Sequence, residues 1–352
     1  IRSRPRTVSR SIQNDAARIG SAIRTRDDHL RIAEKVRIPL PPRTETCTSV
    51  EPVDRIPRLG FVAGYPRPMD LDPSLFDLSR ADPETVELNR QLERLSSNLP
   101  NPIDVGIEPL REARLTGRGL FGPITRSPNG IDRTIPGPNG RVKLRIFTPG
   151  RVDGVFLHFH GGGWAMGSAD YQDGRLEQIA NAAGVAAVSV DYRLAPEHPY
   201  PAPADDAEAA TRWIVGNAGA EFGTDRIVVG GSSAGAHLAV TAMLRMRDRH
   251  GYAEFAGASL TYGFFDLSLT PSARNWGERM LVMNTDLCRW FANAYAAGAD
   301  LTDPDISPMY ADLAGMPPAL FIVGTEDPLL DDSLLLAARF AAAGSATELM
   351  VV

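Results

Sequence analysis

A chain of 352 residues with 43% hydrophobic and 23% charged side chains can bury a full core and has an ordinary globular composition. Its formal net charge of -6 argues against a nucleic-acid partner and against an anionic membrane surface. No apolar run approaches the ~20 residues that span a bilayer, no signal-peptide core precedes a cleavage site, and two cysteines, Cys47 and Cys288, make no disulfide framework; these bounds fit a cytoplasmic enzyme.

Residues 1–68 carry 14 Arg and Lys against 7 Asp and Glu, so the rest of the chain is strongly acidic. This opening lacks apolar periodicity and is broken by Pro39, Pro41, Pro42, Pro52, Pro57, Pro66 and Pro68. It reads as a disordered or non-native basic extension outside the fold, with a targeting arm as the alternative. The chain opens on Ile1, and Met69 just before the first helical signals is read as the native start. Asp82-Pro83 then reads as an N-cap with proline at the first helical position, and Leu88, Leu92 and Leu95 follow at helical spacing. A helix ahead of any strand is no βαβ crossover and is free to lie across the top of the rest.

After a Pro- and Gly-rich approach over 117–140, two strands around Ile131–Ile135 and Lys143–Phe147 are expected to pair antiparallel. Strand and helix then alternate: Val155–Phe159, a helix over about Asp170–Ala183, Val185–Val190, a helix over Ala204–Val215, Ile227–Val229, and a helix over Ala236–Arg247. Ala258–Tyr262 and Ala319–Val323 are further strands, followed by a helix over Asp331–Ala343 that Gly344 stops. Strands such as VAAVSV and ALFIVG are apolar throughout, as a parallel sheet covered on both faces requires. The expectation is a doubly wound, mostly parallel α/β fold with its site outside the carboxyl ends of the strands. More than fifty residues between Tyr262 and Ala319 lack a strand but contain the aromatic helical stretch Asp286–Ala297. With the helix at 82–97 they are read as a lid or cap, from about 69–110 and 270–312; a peripheral packing insertion is the alternative.

Two glycine-rich turns carry the chemistry. Gly231-Ser232-Ser233-Ala234-Gly235 sits between an apolar strand and a helix, the arrangement of a nucleophile elbow. Side chains beside the serine would crowd so tight a turn, and Gly231 and Gly235 relieve that. His160-Gly161-Gly162-Gly163-Trp164 ends another strand, and consecutive glycines expose backbone N–H groups that can approach a developing oxyanion.

With these motifs the chain resembles the hormone-sensitive-lipase-like (bacterial family IV) carboxylesterases of the α/β-hydrolase fold. The likeness rests on HGGGWAMG (160–167), DYRLAPEHPYPAP (191–203), GGSSAG (230–235) and GTEDPLLDD (324–332), and covers roughly 70–352. It implies a helical cap and hydrolysis of short- to medium-chain acyl or aryl esters, a small-molecule substrate, with no cofactor and no metal. By that resemblance Ser233 is the nucleophile, and Ala234 with Gly161, Gly162 and Gly163 frames the oxyanion hole. His160 is then a structural anchor of that loop. Asp327 follows the strand ALFIVG and matches the family's triad acid, with Glu326 as competitor; Asp331 and Asp332 read as N-caps of the next helix.

The base is expected after Asp327, because this fold orders its triad Ser, Asp, His. All six histidines, His29, His158, His160, His198, His237 and His250, lie upstream. The expectation is therefore a C-terminally truncated chain whose triad histidine lies beyond Val352, so that residues 1–352 alone are inactive. The other readings are an amidase or deacetylase of the same family, and a non-catalytic small-molecule receptor on the same fold. Trp164, Tyr192, Phe264 and Phe265 near strand ends are candidates for an acyl pocket or ordinary packing, and an edge strand leaves a homodimer open.

Overall fold

Apolar residues at most positions of five strands leave no continuous polar face, so these strands stay out of water only inside a sheet with helices on both sides. The computed structural model, which describes residues 72–120 and 122–352, has that architecture. The expectations about the basic extension, Met69, Cys47 and His29 fall outside the described residues. The strands are β1 (Ile131–Gly137), β2 (Gly140–Phe147), β3 (Gly154–Phe159), β4 (Val185–Asp191), β5 (Ile227–Ser232), β6 (Gly257–Thr261), β7 (Ala319–Val323) and β8 (Thr347–Val351). They form one sheet in the order β1-β2-β4-β3-β5-β6-β7-β8, antiparallel at β1/β2 and β2/β4 and parallel from β4 to β8.

The helices are α1 (Pro83–Ser96), α2 (Pro102–Val105), α3 (Glu108–Leu115), α4 (Asp173–Ala183), α5 (Ala202–Phe222), α6 (Ala234–His250), α7 (Pro271–Asn275), α8 (Thr285–Ala296) and α9 (Leu330–Ala342). Strand periodicity sends alternate residues of β4 to opposite faces. Ala186, Val188 and Val190 join the main core with α5 and α6, while Ala187 joins Leu176 and Ala180 of α4 with Phe147. Every residue of α6 from Ala234 to Met246 is buried, which accounts for its weak amphipathicity.

Asp82 caps α1 as expected, its side chain accepting from the Glu84 N–H, with Pro83 at the first helical position. α5 runs seven residues past the expected end at Val215. Past Val215, buried Ala218 continues the inward face, and the helix ends at left-handed Gly223. β5 likewise extends to Ser232. The long interval after β6 holds α7, α8 and a 3-10 turn at Pro308–Tyr310. α1 buries only Leu92 and Ser96.

Candidate active site

Register decides what meets at the sheet's carboxyl edge. Phe159 pairs with Gly231, Ser232 with Thr261, and Thr261 with Ile322. The segments that follow β3, β5, β6 and β7 therefore emerge side by side, bringing 160–163, Ser233, Tyr262 and the Asp327 loop to one rim. β7 lies two strands from β5, about 10 Å away at normal strand spacing, a gap that an imidazole bonded at both nitrogens can bridge.

Ser233 has φ +55° and ψ -124°, a conformation unfavourable to any residue with a side chain, at the junction of β5 and α6. Its N–H donates to the Thr261 carbonyl at 2.9 Å, and it is only partly buried. The flanking glycines are required by packing: a Cβ on either Gly231 or Gly235 would run into the Phe159 carbonyl oxygen, and one on Gly235 would also lie 2.6 Å from the His160 oxygen. A Cβ on Gly161 would stand 3.5 Å from Cβ of Ser233, so the glycine loop abuts the serine. Gly162 and Gly163 have φ +125° and +58°, and the Gly162 carbonyl accepts from the N–H groups of Ala165 and Met166. Among the described residues nothing accepts a hydrogen bond from the Gly162 or Gly163 N–H. The Ala234 N–H opens α6, where no carbonyl lies one turn back.

The histidines are accounted for individually. His160 is buried, stacked on Tyr192 at 4.2 Å between ring centroids, with Nδ1 2.9 Å from the Gly161 carbonyl; burial holds its pKa down at about 4. The Tyr192 hydroxyl donates to the His160 carbonyl at 2.7 Å. His237 lies one turn beyond Ser233 and faces away: Trp164 Nε1–H donates to its Nδ1 at 3.1 Å, and its Nε2 meets the Ile306 carbonyl at 2.7 Å. Both nitrogens are engaged and burial lowers its pKa to about 4, so it has no free position for Ser233. His158 is buried on β3 with its pKa lowered to about 3 by burial. His198 is exposed, and His250 at the far end of α6 pairs with Glu208 at 2.7 Å.

Asp327 sits four residues past β7. Burial raises its pKa to about 6, opposed in part by the Leu329 N–H, which donates to Oδ1 at 2.8 Å. Glu326 is turned away, accepting from Asn89 at 2.8 Å and pairing with Arg279 at 2.7 Å. The expected N-capping by Asp331 and Asp332 is not what the structure contains. Leu329 holds the cap position of α9 without a side-chain bond. Asp331 instead accepts from the Ser272 N–H, and Asp332 from the N–H groups of Phe265 and Asp266 and from Thr270 Oγ1. The loop after β6 exposes donors directly opposite them, and these outcompete the helix terminus.

Trp164, Tyr192, Phe264 and Phe265 are each no more than 3% exposed and present no face to a bound molecule. In place of an acyl pocket they build the floor: Trp164 packs on Tyr295 and Phe264 at 4.7 and 5.5 Å, and Phe265 on Phe321 at 6.2 Å. The excursion after β6 supplies Tyr295 against Trp164, while β7 supplies Phe321 against Phe265. The excursion also supplies Phe291 of α8, whose ring lies where a Cβ on Gly163 would project. Arg111 of α3, which no motif marks, donates to the Ala165 carbonyl at 2.8 Å and binds Glu197 at 2.6 Å, bracing the glycine loop from above.

Among the described residues no cluster of His, Cys, Asp or Glu could hold a metal ion, and no helix is long and apolar enough to cross a membrane. A family profile described as alpha/beta hydrolase fold matches residues 156–352. The chain is 39% identical to Esterase LipI of Mycobacterium tuberculosis, over 70% of this chain and 79% of that protein. Among solved structures it is similar to the hyperthermophilic esterase of Pyrobaculum calidifontis, with TM-score 0.66 and 31% identity over 77% of this chain and 88% of that one. An esterase of the bacterial hormone-sensitive lipase family matches with TM-score 0.64, 31% identity and the same coverage. Fold, strand-tip glycines and these relatives together define an α/β-hydrolase. The chain belongs to that family, in its hormone-sensitive-lipase-like esterase branch.

Proposed function

We propose that the protein is a serine carboxylesterase acting on small acyl or aryl esters through an acyl-enzyme on Ser233. The observation that carries this reading is the strained, partly exposed Ser233 lying against Gly161, with unbonded N–H groups on Gly162 and Gly163. In this mechanism a base removes the Ser233 proton as Oγ attacks the ester carbonyl carbon. The oxyanion is received by the N–H of Ala234 and those of the glycine loop, which are fixed before the charge develops. Collapse expels the alcohol, protonated by the same base, and water repeats the sequence to release the acid. Asp327, as carboxylate, orients the base and stabilises its cationic form. The helices of 72–115 and 271–296 act as the cap over this rim.

The base is assigned to a histidine downstream of β8. Val352 donates to the Val323 carbonyl at 3.0 Å and accepts from the Thr325 N–H at 2.9 Å, so the chain there runs beside the Asp327 loop. Of the five described histidines, His158, His160 and His237 are buried, His250 pairs with Glu208, and His198 is exposed. That same observation favours a second reading, a non-catalytic small-molecule receptor. The experiment is a p-nitrophenyl ester chain-length series on the protein carried past Val352, beside its Ser233→Ala variant and the 352-residue chain. Loss of either triad member is expected to cost ~10⁴-fold or more in kcat. Equal hydrolysis by the Ser233→Ala protein overturns the nucleophile; absence of turnover in the extended protein supports the receptor.

A further inference from the structure

Glu326 immediately precedes Asp327, and two residues from outside the sheet hold its carboxylate. Asn89 of α1 donates to Oε2 at 2.8 Å, and Arg279 binds Oε1 through Nη1 at 2.7 Å. Arg279 also reaches back to α1, pairing through Nε with Glu93 at 2.6 Å. Its guanidinium lies 5.3 Å from the Trp276 ring centroid, and the Trp276 indole N–H donates to the Arg279 carbonyl at 2.8 Å. Leu88, Leu92, Leu95, Trp276 and Leu281 form an apolar cluster of their own, separate from the main core. α1 and the 276–281 segment are thus one small unit with a private hydrophobic centre, fastened at the tip of β7 by Glu326.

The loop that carries Asp327 is also pinned just before Glu326 by the Thr325 N–H to Val352 carbonyl bond, just after Asp327 by Ser272 Oγ donating to the Pro328 carbonyl at 2.8 Å, and internally by the Leu329 N–H to Asp327 Oδ1 bond. Release of Glu326 would remove the tether directly before Asp327. We propose that Glu326 is a positioning residue and an ionic latch: it closes the α1–Trp276 unit on the β7 tip and couples that closure to the placement of the Asp327 carboxyl. The latch is suited to reversible use. Burial works against its charge, but Arg279 and Asn89 prevail and hold the Glu326 pKa below the ordinary carboxylate range, so it is ionised at neutral pH. The Arg279 side chain is 40% exposed and that of Glu93 32%, so both pairs are individually weak and open to screening by salt. The catalytic consequence rests on Asp327 being the triad acid; the latch does not.

The test is hydrogen exchange, read by mass spectrometry on segments 83–96 and 324–330, at low salt and at about 1 M NaCl. Wild type, Glu326→Gln, Arg279→Lys and the α1 surface control Glu87→Gln are compared. In wild type both segments are expected to exchange about fivefold faster at high salt. Glu326→Gln should exchange at that faster rate already at low salt and no longer respond to salt. Arg279→Lys, with one charge but no fork to bridge two carboxylates, should fall between, and Glu87→Gln, whose bonds to Gln91 and Arg94 stay within α1, should leave 324–330 as in wild type. A Glu326→Gln protein with wild-type protection of 83–96, or one that keeps the salt response, overturns the latch. Loosening of 83–96 alone, with 324–330 unchanged, overturns the coupling to Asp327. Should the variant not fold, the salt titration of wild type decides by itself. Exchange needs no ester turnover, so failure of the esterase assignment reads out separately.

Discussion

Asp327, the proposed triad acid, is a carboxyl whose burial costs stability. Burial sets its folded pKa at about 6 against 3.8 when free. As pH rises from 3.8 the unfolded chain loses this proton first, so stability falls through that window and stays lower above pH 6; below 3.8 both states hold the proton and the effect vanishes. Asp327→Asn is therefore expected to stabilise this chain by about 2–3 kcal/mol at pH 8, narrowing to about 1 kcal/mol near pH 4.5. Urea unfolding at the two pH values measures it, and an equal gain at both would remove the carboxyl as the cause. In the extended protein the same substitution is expected to lower kcat by roughly 10⁴-fold, the balance of stability against activity typical of a catalytic group.

Among the elements, α8 packs directly on the 161–163 glycine loop. Phe291 rests on Gly163, and Tyr295 stacks on Trp164 and meets His237 edge-on at 5.4 Å. Gly163 is also at φ +58°, where an L side chain is strained. Gly163→Ala should therefore displace either the loop or α8. The expected result is a loss of about 1–3 kcal/mol in stability and roughly a 10²–10³-fold fall in kcat of the extended protein. Urea midpoints and ester kinetics read the two effects; a fall in stability with kcat intact would show that the Gly163 N–H is not a donor to the oxyanion. α3 braces the same loop through Arg111, so two elements distant in sequence fix the geometry of one turn.

Across the whole molecule, protection should follow burial. β3, β5 and α6 form the dry centre, with Val155, Leu157, Phe159, Val229 and Ala236 through Met243 inaccessible to water. α1 lies at the other extreme, with a small hydrophobic cluster of its own. Native-state hydrogen exchange is expected to show the slowest amides in β3, β5 and α6, opening only with global unfolding, and the fastest among the helical amides in α1. Uniform protection across α1 and α6 would show that the α1 unit folds as part of the main core. The proposed site then sits where the most deeply buried strands meet an α1 unit that buries little of its own surface.

How much was legible in the sequence differs from residue to residue. The apolar runs VAAVSV and ALFIVG, the cap Asp82-Pro83 and the two glycine motifs were readable because each reflects a local constraint, a period or a turn, that neighbours along the chain impose. Ser233 and Gly161–Gly163 stood out as candidates through those constraints, and the family resemblance supplied the roles expected of them. The position of Asp331 and Asp332, the sealing of Trp164 and Phe264, and the engagement of both His237 nitrogens were not readable, since each depends on what a segment from 30 to 200 residues away presents to it. Glu326 was legible only as a rival to Asp327; its partners Asn89 and Arg279 lie 237 and 47 residues upstream. By itself the sequence determined the order of strands and helices and the chemistry available at their ends, because hydrophobic period and glycine geometry are local. Only the tertiary structure decided which of those ends share a rim and which side chains are spent on packing, because register and burial arise when distant segments close on one another.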